Sequence, residues 1–98
     1  MQDIVYVVAK LQARAGKEEA LRKLIEPVIE PTRQEKGCRR YSVMQDRQNP
    51  AVITLLEEWD TEADLDTHLA LPHLQKIFAE LKDVLGAPPD IVRYKEIG

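Results

Sequence analysis

The segment Ile4–Ala13 constrains the fold of this chain more than any other. Its apolar side chains do not alternate with polar ones. At a period of two, Ile4, Tyr6 and Val8 point one way, while Val5, Val7, Ala9 and Leu11 point the other. A strand of this kind is comfortable only where both of its faces are covered. With 98 residues there is room for one core and one domain, 1–98. Whatever covers the second face of the sheet therefore has to come from outside that core.

The remaining elements follow in turn. Lys17–Lys36 is predicted helical, with Ala20, Leu21, Leu24, Ile25, Val28 and Ile29 on one side and charged residues opposite. Glu18 and Glu19 occupy its first turn, where the helix dipole favours acids. Pro27 and Pro31 each remove an internal hydrogen bond, so a kink or an early end is expected. Cys38–Asp46 and Val52–Trp59 read as two strands of a hairpin joined by Arg47-Gln48-Asn49-Pro50. Thr61 and Asp64 have capping-box spacing and start a short helix that Pro72 ends; Pro72 also suits the first position of the next helix. That helix carries Leu74, Ile77, Phe78, Leu81, Val84 and Leu85 before Gly86, Pro88 and Pro89 stop it, and Ile91–Ile97 is the last strand. The order β-α-β-β-α-β, with the second helix split, is a ferredoxin-like α+β arrangement: a four-stranded antiparallel sheet with its helices on one face. The other face is expected to be buried by a second copy, giving a homodimer through the sheet faces.

Composition excludes several function classes. Hydrophobic residues make up 44% and charged residues 32%, as in an ordinary soluble globular protein. Lys and Arg total 14 against 17 Asp and Glu, a net charge of -3, without the basic surplus of a nucleic-acid binder. The longest apolar run, Ile4–Ala9, is far short of the ~20 residues that cross a bilayer. No charged and then apolar segment opens the chain, so no secretory signal is expected. Cys38 is the only cysteine, which rules out an internal disulfide and fits a reducing, cytoplasmic setting.

No Gly-rich phosphate loop is present. His68 and His73 are five apart with Pro72 between them, not the three or four of a helical metal pair, so no metal is expected. Cys38 beside Arg39 and Arg40 reads as a small core residue in a strand rather than an activated thiolate. The arginines read as solvated surface or a dimer-edge salt bridge. His68 shares the apolar side of its helix with Leu65 and Leu69. Spacing alone favours a buried, hydrogen-bonded histidine over a proton acceptor facing a pocket between sheet and helices. Trp59, beside Glu57 and Glu58, and Tyr41 read as strand packing first and as ligand contacts second.

Taken together, Gly37-Cys38-x-x-Tyr41, Glu57-Glu58-Trp59 and His68-x-x-x-Pro72-His73 resemble the antibiotic biosynthesis monooxygenase family, its quinol monooxygenase-like members most closely. The resemblance runs from Ile4 to Ile97. It implies a dimeric α/β barrel of ferredoxin-like subunits that oxygenates quinol, phenolic or polycyclic aromatic substrates with O2 and without flavin, metal or haem. It also implies His68 as the catalytic base, with Tyr41, Trp59, Glu57 and Phe78 contacting the substrate and Trp59 forming a cavity wall. Haem-degrading relatives carry an Asn and a ligating His where Ala9 and Phe78 stand here, which disfavours haem degradation. A further relative, an isomerase of a phosphorylated sugar-derived signal, shares the His-x-x-x-Pro-His pattern. An isomerase or tautomerase acting on a small carbonyl compound therefore stays open, as does a non-enzymatic small-ligand binder.

Overall fold

The computed structural model describes residues 3–98. The elements in chain order are β1 (Val5–Gln12), α1 (Glu18–Arg33), β2 (Cys38–Gln45), β3 (Val52–Trp59), α2 (Glu62–Ala70), α3 (Pro72–Leu81) and β4 (Asp90–Tyr94). The four strands form one antiparallel sheet in the order β2-β3-β1-β4. This is the ferredoxin-like arrangement, with β1 and β3 central and the split second helix formed by α2 and α3.

Local chemistry accounts for the boundaries. The Thr61 hydroxyl accepts a hydrogen bond from the Asp64 backbone N–H at 3.0 Å and starts α2. Pro72 opens α3 at its first position, where its missing N–H has no partner to lose. In the hairpin, Asp46 Oδ1 accepts from the backbone N–H of Gln48 and Asn49 at 2.8 and 3.1 Å.

Three boundaries differ by more than one residue from the pattern in the sequence. Helix α1 runs unbroken through Pro27 and Pro31 and ends at Arg33, not Lys36. Both prolines lie on its exposed side, so the carbonyls they leave unpaired can be hydrated. Helix α3 ends at Leu81 although the apolar spacing continues to Leu85. There the chain turns to pair with the end of β1: Leu85 bridges Ala13, and the Gly86 N–H donates to the Gln12 carbonyl at 2.9 Å. The N–H groups of Asp83, Val84 and Leu85 still bond back to the Glu80 and Leu81 carbonyls in a turn, while the Val84 carbonyl and the Gly86 N–H are met by Arg14 and Gln12 at the end of β1. Strand β4 stops at Tyr94, short of Ile97.

Register decides which residues share a face. On the helix-covered face, Tyr41, Glu57, Val7 and Arg93 form one row across the sheet, and Val43, Leu55, Ala9 and Ile91 form the next. The core lies between these rows and the helices, where Leu21, Ile25, Leu65, Leu74 and Leu81 are buried. On the opposite face, Ser42, Leu56, Val8 and Val92 make one row, flanked by Tyr6 and Tyr94. Tyr94 there is 51% exposed and Val92 38%. The two-sided apolar character of β1 is therefore matched by helices on one face only. Among the described residues no helix is long and apolar enough to cross a membrane.

Candidate functional site

Between the helix-covered face and the helices lies a cavity lined almost wholly by apolar side chains, among them Val28, Leu55, Leu65, Leu74 and Phe78. Its atom-free space is about 630 Å³ with the mouth included, of which only about 60 Å³ is open to the centre of a water-sized sphere. It is therefore narrow, a slot between the sheet and the helices. Ile91 and Arg93 of β4 are its exposed lining residues, which sets the mouth beside that edge strand. Arg93 is held there by Glu62 at 3.1 Å and Asp66 at 2.8 Å, both on α2.

The buried polar groups of the slot are Tyr41, Glu57 and His68. Tyr41 and Glu57 stand opposite each other on β2 and β3 and form part of the floor. His68 comes from the last turn of α2 and is 2% exposed. Its Nδ1 lies 2.8 Å from Glu35 Oε1. A carboxylate only accepts hydrogen bonds, so this contact is a hydrogen bond to ionised Glu35 when Nδ1 carries a proton. In the neutral ring, Nε2 is then the basic nitrogen. The ring packs against Trp59 with centroids 4.8 Å apart and meets the edge of Tyr41 at 6.0 Å.

Trp59 is completely buried, and its Nε1–H donates to Glu57 Oε1 at 2.9 Å. It stands behind His68 and Glu57 rather than on the wall of the slot, where the resemblance puts it. Its size and its single donor make it the backing that orients both. Phe78 lines the slot from α3.

Burial raises the Glu57 carboxyl above the ordinary carboxylate range, and nearby Glu35 adds to the rise; the Trp59 hydrogen bond and His68 oppose it. Burial likewise pushes the Tyr41 hydroxyl far up, followed by the negative potential of Glu57. Tyr41 is thereby kept as a neutral hydrogen-bond donor. The Cys38 thiol is raised by burial, then by Glu57 and Glu35, which is the reverse of what an activated thiolate needs. Arg39 pairs with Asp60 at 3.2 Å and Arg40 approaches Glu58 at 3.8 Å, both at the surface.

Glu35 is the residue that sequence spacing did not reveal. It lies 33 positions before His68, in a run of polar residues that resembles a solvated helix end. One signal was available. In an antiparallel hairpin the residues before β2 and those after β3 meet, and here the Asp60 N–H donates to the Gly37 carbonyl at 2.8 Å. That pairing brings the α1–β2 turn to the site of α2.

Residues 4–80 match the family described as antibiotic biosynthesis monooxygenase. The chain belongs to this family. A Synechocystis relative, the uncharacterized protein sll1783, is 30% identical over 93 residues, covering 95% of this chain and 63% of that protein. The chain thus spans less than two thirds of that relative's length. The Escherichia coli protein named probable quinol monooxygenase YgiN is 28% identical over 90 residues, covering 81% of this chain and 86% of that protein. Among solved structures, a conserved protein from Methanosarcina mazei Go1 superposes with a TM-score of 0.89 at 35% identity, covering 98% of this chain and 95% of that one. In this family member Ala9 and Phe78 both line the slot, and neither carries an atom able to ligate iron.

Proposed function

We propose that this family member is a cofactor-independent monooxygenase that oxidises a small quinol or phenolic aromatic compound with O2. The observation that carries the reading is a buried histidine whose Nδ1 is engaged by a carboxylate at 2.8 Å and which lines a narrow apolar cavity. His68 takes a phenolic proton through Nε2, within the ordinary reach of general-base catalysis. The resulting phenolate is a strong enough reductant to pass an electron to O2, and an apolar slot both admits O2 and excludes bulk water. For a hydroquinone the balance closes: quinol plus O2 gives hydroxyquinone plus water, with one oxygen atom entering the ring and four electrons leaving it. Tyr41 and Glu57 are assigned to hydrogen bonds with the substrate oxygens, Phe78 to the apolar wall, and Trp59 to support of His68 and Glu57. The family name and the name of the Escherichia coli relative support the oxygenase class.

The active form is proposed to be a homodimer, with the row Leu56, Val8 and Val92 of one copy packed on that of its partner. The support is the half-buried to exposed apolar residues on a sheet face that no helix covers. The deciding experiment is O2 uptake by purified protein with a panel of hydroquinones and naphthohydroquinones, run under ¹⁸O2. One labelled oxygen in the product per O2 consumed is expected. Proton exchange into a carbonyl substrate without O2 uptake would replace this reading by an isomerase. Tight binding without turnover would replace it by a ligand binder.

A further inference from the structure

We propose that Glu35 is the positioning residue of the site, holding His68 in the Nδ1–H tautomer so that Nε2 is the proton acceptor. The inference rests on the reading of His68 as the base. Glu35 is well fixed for the task. Its backbone N–H donates to the Thr32 carbonyl at 3.0 Å, and its carbonyl accepts from the Cys38 N–H at 3.2 Å. Two residues on, Gly37 turns the chain with φ +83 into β2. Glu35 is thus pinned at the junction of α1 and the sheet, and its side chain is only 19% exposed.

Its two oxygens are used unequally. Oε1 meets His68 Nδ1, whereas Oε2 is buried without a hydrogen-bond partner. A buried carboxylate oxygen left unmatched costs stability, so the side chain is not placed here for folding alone. The groups around the His68 ring come from several elements: Glu35 from the α1–β2 turn, Tyr41 from β2, Glu57 and Trp59 from β3, and Arg93 along the same slot from β4; Cys38 of β2 lies near Glu35 and Glu57. Glu57 is already engaged by the Trp59 indole. That leaves Glu35 as the carboxylate that both fixes the tautomer and faces the positive charge His68 gains with the substrate proton.

The test reads the ring directly. Long-range ¹H–¹⁵N correlation NMR on ¹⁵N-labelled wild-type protein distinguishes the two tautomers, and a His73→Gln variant assigns the second histidine. The neutral His68 ring is expected as Nδ1–H. In Glu35→Gln the amide offers both a donor and an acceptor, so a tautomer mixture is expected. Its kcat should fall roughly 10–100-fold, as for loss of one charge-assisted hydrogen bond, with KM close to wild type. Glu35→Asp should restore the tautomer and part of the rate. An Nε2–H ring in the wild type would overturn the proposal, and that spectrum needs no variant to fold. A wild-type tautomer and kcat in Glu35→Gln would overturn it equally. An Nδ1–H ring in a wild-type protein that consumes no O2 would instead overturn the oxygenase reading and leave the assignment of Glu35 standing.

Discussion

Replacing His68 by Ala separates chemistry from packing. The ring is 2% exposed, bonded to Glu35 at 2.8 Å and packed on Trp59 at 4.8 Å between centroids. Its removal leaves Glu35 with neither oxygen matched and opens a small void beside the indole. Loss of one hydrogen bond with its partner left buried, together with that void, costs about 1–3 kcal/mol. For a chain of this size each kcal/mol lowers Tm by roughly 4–8 °C, so a fall of roughly 5–20 °C is expected. The loss of a general base is larger in rate, roughly 10²–10⁴-fold in kcat/KM. The two effects are read on the same samples: thermal unfolding by circular dichroism, then initial O2 uptake well below the Tm of the variant. His68→Gln keeps an amide able to bond Glu35, so it should recover part of the stability and little of the rate. A fully folded His68→Ala protein that turns over like wild type would end the candidacy of His68 as the base. It would take with it most of the case for catalysis in this slot.

Three further outcomes follow from the structure. Because burial raises the Glu57 carboxyl in the folded state, its contribution to stability is full below the unfolded value of about 4.3 and is lost as pH rises through the folded one. The Tm advantage of Glu57→Gln over wild type should therefore grow from about pH 4 upward and then level off; parallel Tm curves would refute this account. Leu56→Lys puts a charge in the middle of the uncovered sheet row and should convert the proposed dimer to a folded monomer in sedimentation; a wild-type protein already monomeric at micromolar concentration would sink that proposal. Gly37 sits at φ +83, and a Cβ there would overlap the Asp64 carboxylate, so Gly37→Ala should cost about 1–3 kcal/mol in denaturant unfolding. Adding Asp64→Ala should recover only part of the loss, because the Cβ of residue 64 would still lie 2.7 Å from the new one and the backbone strain remains.

What the sequence determined by itself is whatever depends on local periodicity and punctuation. The order of elements, the Val52–Trp59 strand, the Thr61 cap and the Pro72 helix start were all legible, because each rests on residues a few positions apart. The apolar parity of Ile4–Ala13 set the expectation of cover on both faces of the sheet, and the residue motifs pointed to the family that the comparison with known proteins then gave. Tertiary structure decided the rest. It ended α3 at Leu81 and turned Val84–Gly86 to pair with the chain at the end of β1, an outcome invisible to a helical pattern that continues to Leu85. It put Trp59 behind the slot rather than on its wall, since the strand gives a side chain's face but not its depth. Above all it joined Glu35 to His68. That pair exists only because hairpin register brings the α1–β2 turn against α2, and register is a property of paired strands, not of either strand alone.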